Sequence, residues 1–406
     1  MPIINYLGGP GTGKTTKLIA LAQNQQVQNS LFISYSTIAS SLIREQLGKA
    51  WPCSTMPGLT MGLISHFQKE MGFKSQPHIV HYKVRKEIAD EASKKVNSRM
   101  FPTELGYEQE ILKEIQQIQL ETGALGSNDL ALFILKFRKL PQLSSYLQNI
   151  QTFYIDDAQE MSLEEFRLIQ ELSDEGAQVY LASDINSVVG KEQTCSNKLL
   201  HLESIRYSVA HQSKPWVCQV FNQLAAFNKL KDTHQIQPGI ASQIISQNFQ
   251  VHVESLLDQN QWIQRQIMNC MQISTKINIG IICRSKSEIV HIAEALSKNG
   301  IQHQVLFQNS RYDPPPTLKG VVFLGTPNVF KGMRFQVVIL PNMTEGVWPF
   351  PNEHLESSRR QLLCSIGRAK SVIFFMCPKQ DIKGTPLRPS RHLVECNTPE
   401  VIIHRK

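Results

Sequence analysis

The chain has 406 residues, more than one ordinary hydrophobic core organises and suited to two or three domains. With 41% hydrophobic and 19% charged residues, no apolar run near the roughly 20 residues that span a bilayer and no basic leader before an apolar core, it reads as a soluble, cytoplasmic protein. A formal charge of +8 permits a polyanionic partner without requiring one, and the eight scattered cysteines include no Cys-x-x-Cys pair to suggest zinc or redox chemistry.

The first element is an apolar strand, Ile3 to Leu7, followed by Gly8-Gly9-Pro10-Gly11-Thr12-Gly13-Lys14-Thr15-Thr16 and a helix with Leu18, Ile19, Leu21 and Ala22 on one side. Strand, glycine turn and helix form the context that Gly-x-x-x-x-Gly-Lys-[Ser/Thr] requires. The glycines let successive N–H groups point inward and the helix start adds its positive end, so Gly9 to Thr16 are expected to cradle a nucleoside triphosphate. Lys14 would reach the outer phosphates and Thr15 would ligate Mg²⁺.

A second strand is expected at Leu31 to Ser36, then a helix through Ala39, Leu42, Ile43 and Leu47. Trp51 to Gly58 is a Pro/Gly-punctuated stretch leading to a helix near Leu59 to Phe67. From about Phe73 to Ile150 the pattern is helical and rich in Lys, Glu and Gln, with breaks at Phe101-Pro102 and Gly123 to Ser127, and reads as an inserted subdomain. Its basic clusters (Lys83, Arg85, Lys86; Lys94, Lys95; Lys136, Arg138, Lys139) suit either phosphate tracking or solvated helix faces.

Thr152 to Ile155 is an apolar strand ending in Asp156-Asp157-Ala158-Gln159-Glu160. Paired carboxylates after a strand are what a Mg²⁺-nucleotide site needs: Asp156 for the metal, and Asp157 for the attacking water. Another strand, Gln178 to Ala182, ends in Ser183-Asp184. Strands alternating with helices imply parallel sheets with ligands at their carboxyl ends. Beyond about Leu202 a second α/β unit is expected, with strands at Ile277 to Cys283, Gly320 to Gly325, Gln336 to Pro341 and Ser371 to Met376, and an extended linker at Tyr312 to Pro316. Two stretches there carry chemistry: Gly325-Thr326-Pro327-Asn328-Val329-Phe330-Lys331-Gly332-Met333-Arg334-Phe335, with Glu345-Gly346-Val347-Trp348-Pro349 beyond it, and Arg359 to Lys370. Arg368, at a helix end, could reach a γ-phosphate held by the first domain.

In order and spacing, over nearly the whole chain, these motifs resemble those of superfamily 1A helicases, the UvrD/Rep group. The resemblance implies two RecA-like P-loop NTPase domains, at 1–200 with a helical insertion near 73–150 and at 201–406 without the 2B insertion. It implies that ATP and Mg²⁺ are held between the domains while the protein walks 3′ to 5′ along single-stranded DNA. By that likeness Asp157, Gln159 and Arg368 are catalytic, Thr15 and Asp156 bind metal, and His211 and Gly332 join Gly9 to Thr16 at the nucleotide. Thr55, Thr326 and Asn328 would contact the DNA strand, and Thr37 to Ala39 match their motif poorly.

The departures from the pattern are specific. No adenine-reading glutamine is found among the seven residues before Gly8. The family's Asp-Glu becomes Asp156-Asp157, one methylene short. Ser183-Asp184-Ile185-Asn186-Ser187-Val188-Val189-Gly190 lacks the phosphate-sensing glutamine and a base-stacking aromatic, whose loss forfeits roughly 1–3 kcal/mol per base. Ala210-His211-Gln212-Ser213 lacks one phosphate-reaching arginine, a role Arg206 could take, and Arg334 stands where the family has a ribose-contacting glutamate. These departures keep open a helicase-like ATP-binding subunit that latches a nuclease or repair partner. A kinase or small-molecule NTPase explains the phosphate loop but not the C-terminal motifs.

Overall fold

The computed structural model describes residues 3–25, 27–100, 102, 106–127, 129–187, 194–228, 235–239, 249–307, 320–396 and 400–401. The short apolar runs become two separate parallel sheets, each covered by helices on both faces, so the chain is α/β.

In the first half, β1 (Ile3–Gly8) runs into the glycine turn and α1 (Lys14–Gln23), which buries Leu18, Ile19 and Ala22. β2 (Ser30–Ser34) is wholly buried; Ser36 beyond it is not strand but the cap of α2 (Thr37–Leu47), its side chain accepting from the Ala39 N–H. The Pro/Gly-punctuated stretch at Trp51 to Gly58 contains a short strand, β3 (Cys53–Thr55), and the start of α3 (Met56–His66), which begins before the expected Leu59. Pro57 is tolerated there because first-turn N–H groups have no helical partner, and the Thr55 hydroxyl accepts from Gly58 N at 3.1 Å.

The helical stretch comprises β4 (His78–Ile79), α4 (Tyr82–Asn97), α5 (Tyr107–Thr122), β5 (Ala124–Leu125), α6 (Leu130–Phe137) and α7 (Pro141–Gln148). It is not all helical, since β4 and β5 pair in parallel. Only α4 and α5 have a small core of their own, around Ile88, Ala92 and Ile118. Leu130, Phe133, Ile134, Leu143 and Leu147 of α6 and α7 are buried with Leu31, Ile33 and Phe153 in the first sheet's core. At roughly 1.5–3 kcal/mol per buried large apolar side chain, that face ties α6 and α7 to the sheet. The basic clusters are partly consumed by carboxylates: Arg85 by Asp129, Lys95 by Glu91 and Glu114, and Arg138 by Glu171 and Glu175.

β6 (Thr152–Ile155), α8 (Leu163–Asp174), β7 (Gln178–Ser183), the short α9 (Ser196–Leu199) and β8 (Ser204–Tyr207) complete the unit. The sheet order is β3-β2-β6-β7-β1-β8. β8 pairs with β1 and so carries the first sheet past the boundary expected near Leu202. It is an edge strand with Ile205 and Arg206 exposed, which is why it has no apolar signature in the sequence.

β9 (Val209–Ala210) and β10 (Gln237–Pro238) form a two-stranded pair around α10 (Pro215–Ala226). The second sheet then takes β11 (Phe249–Ser255), β12 (Ile279–Ile282), β13 (Gln304–Val305), β14 (Val322–Gly325), β15 (Phe335–Leu340), β16 (Ala369–Gln380) and β17 (Glu400–Val401). Its order is β13-β14-β12-β15-β16-β11-β17, with every pair parallel. One face packs on α11 (Leu256–Ile273) and α12 (Lys286–Lys298), and the other on α10, α13 (Leu355–Ile366) and α14 (Arg391–Cys396). The linker expected at Tyr312 to Pro316, and Phe101, Val188, Val189 and Gly190 of the expected breaks and motifs, lie outside the described residues. No helix among the described residues is long and apolar enough to cross a membrane.

Candidate functional site

β6, β7 and β1 are neighbours in the first sheet, so their carboxyl ends bring Asp156-Asp157, Asp184 and the loop Gly8 to Lys14 together. Gly11 and Gly13 have φ of 75° and 88°, which side chains rarely adopt. The Gly9 carbonyl accepts from Thr12 Oγ1 at 2.9 Å and from Lys14 Nζ at 2.7 Å, folding the loop round the ammonium. No side chain caps α1, which leaves its first N–H groups to an anion. They face a cavity of about 790 Å³ shared with Asp156, Tyr207, His211, Gln212, Arg334 and Lys370, large enough for a nucleotide.

The Thr15 hydroxyl lies 3.0 and 2.9 Å from the two Asp156 carboxylate oxygens. Burial, with the neighbouring Asp157 charge, raises the Asp156 carboxyl to about 7, while Thr15 and Lys14 oppose the rise. Burial also pushes the Asp184 carboxyl up and the Lys14 ammonium down, each restrained by the other. Gln159, buried, joins the carboxylate segments: its Nε2 donates to Asp157 Oδ1 at 3.1 Å and its Oε1 accepts from Asp184 N at 2.9 Å. Asp157 holds a left-handed conformation, φ 54°.

A hydroxyl paired with one carboxylate beside the glycine loop fits a hard cation such as Mg²⁺, which takes few protein ligands and completes its shell with phosphate and water oxygens. Among the described residues no group of three or more His, Cys, Asp or Glu side chains is arranged to hold a metal ion unaided.

The second sheet presents the amino ends of β15 and β16 to this loop. Phe335 N donates to Arg368 O at 2.8 Å, so the residues that open the two strands, Arg334 and Arg368, are adjacent. Arg368 donates through Nε to Cys364 O at 3.1 Å. Burial works against its charge, but Cys364, Asp157 and Asp184 nearby hold its pKa above the ordinary value. Pro10 meets Gly367, where a Cβ would come within 2.9 Å of its ring, and Gly332 meets Ala39 of α2 at 2.6 Å by the same measure. Lys331 and Glu160 form an ion pair across the two halves at 3.0 Å, their side chains 8% and 3% exposed.

Of the residues expected from sequence, Gly11 to Thr16, Asp156, His211 and Gly332 line one cavity. His211 is tied to the loop, its N–H donating to Gly11 O at 2.9 Å. Gly9 and Pro10 shape the loop rather than the cavity; Asp157, Gln159 and Arg368 are not among the cavity residues either, although Asp157 and Arg368 are close enough to act on the Lys14 charge. Thr55, Thr326 and Asn328 are not among the cavity residues; they stand at the carboxyl ends of β3 and β14, and Thr55 is occupied in capping α3. Arg206 is exposed on β8 and does not join the cavity either, whereas Tyr207, the next residue, does. Sequence reading had no signal for Tyr207 or the Glu160–Lys331 pair; it singled out the stretch ending in Lys370 without giving Lys370 a role, and took Arg334 as a ribose-side change rather than a group at the glycine loop. No protein-family model matches the chain, and no curated protein matches it.

The buried carboxyls set a pH dependence for the ligand-free protein. A carboxyl with a raised pKa binds its proton more tightly when folded, so its stabilising effect is complete below the unfolded value of about 4 and is lost as pH rises through the folded value. Asp156 and Glu288, both raised to about 7 mainly by burial, therefore lower the melting temperature progressively between about pH 4 and 7. Melting curves of wild type and Asp156→Asn across that window test this; the variant is expected to show the shallower decline.

Proposed function

We propose that the chain is a nucleoside triphosphatase of two RecA-like lobes that close on one MgATP, and that it acts as a 3′–5′ single-stranded DNA translocase or helicase of the superfamily 1A type. The observation that carries the reading is the arrangement at the cleft: a phosphate loop on one sheet, and on the other an arginine, Arg368, held among Asp157, Asp184 and Lys14. Binding at the loop would draw Lys14 from the Gly9 carbonyl onto phosphate oxygens. Thr15 and Asp156 would hold Mg²⁺, which offsets phosphate charge when bound. Asp157, oriented by Gln159, would accept the proton of the attacking water, and Arg368 would meet the charge that grows on the transferred phosphoryl group. Release of that charge loosens the grip between lobes, which is how turnover would be converted into steps along a strand.

A second reading is favoured by the buried Lys331–Glu160 pair, which ties the lobes together through side chains alone. In it the chain is an ATP-dependent latch for a nuclease or repair partner, with little unwinding of its own.

Turnover of ATP by the pure protein, with and without single-stranded DNA, separates the two. The motor reading expects stimulation by DNA, and expects Lys14→Ala to weaken MgATP binding by at least about 100-fold, as removal of a buried charge-assisted contact does. Turnover indifferent to DNA, with an inert Lys14→Ala variant, would leave it unsupported.

A further inference from the structure

We propose that Arg334 is a second phosphate-binding arginine: its guanidinium, carried in by the second sheet, takes oxygens of the triphosphate held by the phosphate loop. The inference rests on the nucleotide reading above and adds a ligand contact to it.

Arg334 precedes β15 and reaches across the cleft to the loop, where a Cβ built on Gly11 would overlap its Nη1. The side chain is fixed from one end only. Nη2 donates to Ser213 Oγ at 2.7 Å and to the Ala369 carbonyl at 2.9 Å. Nε and Nη1 expose essentially no surface and have no hydrogen-bond partner among the described residues. A guanidinium carries five N–H donors in a rigid fork, and leaving part of that fork buried and unpaired is costly.

The charges around it sharpen the point. Lys14 and Arg368 each face Asp157 and Asp184, so both already have anions nearby. The charged or titratable neighbours of Arg334 are Arg368 and Lys370, like charges that repel it, and Cys218. No carboxylate is among them. Burial and Arg368 lower its pKa to about 10, which leaves it charged at neutral pH. A cation with no carboxylate beside it among the described residues, anchored by two acceptors and pressed on a loop whose helix start has no side-chain cap, matches a phosphate in both charge and fork geometry. Gln212 lines the same cavity with a neutral side chain, so Arg334 supplies a cation that this position does not.

The test is equilibrium binding of MgATP and of inorganic triphosphate to wild type, Arg334→Gln and Arg334→Lys, with Lys14→Ala as the reference for the site. Arg334→Gln is expected to weaken both ligands about 10- to 100-fold. Arg334→Lys, which keeps charge but not the fork, should fall between the two and remains informative if the glutamine variant does not fold. Adding Gln212→Arg to Arg334→Gln should recover much of the loss, since a merely structural brace would not be restored from a different position. If Lys14→Ala weakens binding while the Arg334 variants bind inorganic triphosphate within twofold of wild type, the inference is overturned and the nucleotide site stands. If Lys14→Ala binds as wild type does, the site reading itself is lost, and the inference with it.

Discussion

Replacing Arg368 by alanine is expected to lower ATP turnover by roughly 10³-fold or more, with a much smaller effect on MgATP affinity. The asymmetry follows from where the side chain sits. It is held by the Cys364 carbonyl and lies near Asp157, Asp184 and Lys14, so in the proposed mechanism its charge would act where phosphoryl charge develops rather than on the nucleotide as a whole. An interaction made mainly in the transition state shows in kcat. Arg368→Lys should restore only part of the rate, because a point charge lacks the planar fork. The measurement is single-turnover hydrolysis beside equilibrium binding. A variant with kcat within tenfold of wild type would remove the arginine from the chemistry.

Lys331→Met should cost about 3–5 kcal/mol of stability, because it removes the cation paired with a Glu160 carboxylate whose side chain is only 3% exposed. The comparison within the same molecule is Arg391–Glu345, an ion pair whose arginine is 55% exposed and whose loss should have a far smaller effect because water screens the exposed charge. Urea unfolding of both variants measures the contrast. The double variant Glu160→Gln/Lys331→Met is expected to regain most of the loss, since neither member of the ion pair then places a charge in the buried site. Equal effects from the buried and exposed pairs would show that the Lys331 contact does not tie the two halves. Because Glu160 lies four residues past Asp156, loosening this pair should also reduce turnover by misplacing the carboxylate segment against Arg368.

Much of the first half is legible from residue order because its signals are local. A glycine turn between an apolar strand and an amphipathic helix fixes its own backbone, and β1, α1 and β6 lie where their apolar runs do. β3, three residues long, and β8, half exposed at an edge, carry too little pattern to stand out; each exists through the strand it pairs with. The inserted stretch looked uniform because periodicity reports only that a helix has an apolar face. It does not say that α6 and α7 turn theirs to the first sheet while α4 and α5 turn theirs to each other.

The same division runs through the site. By itself the sequence determined the glycine loop between β1 and α1, the carboxylates that follow β6, and the alternation that makes the chain α/β, since each depends on residues within one turn or one strand of each other. Only the tertiary structure decided that Glu160 finds Lys331, that Gln159 joins Asp157 to Asp184, and that Arg334 reaches Gly11 with half its fork unpaired. The first and the last depend on how one sheet faces the other, and the second on β6 and β7 being neighbours in one sheet. Charge in a buried cleft is governed by which neighbours come within a few ångströms and by how little water remains between them, and neither quantity is written in the order of residues along a chain.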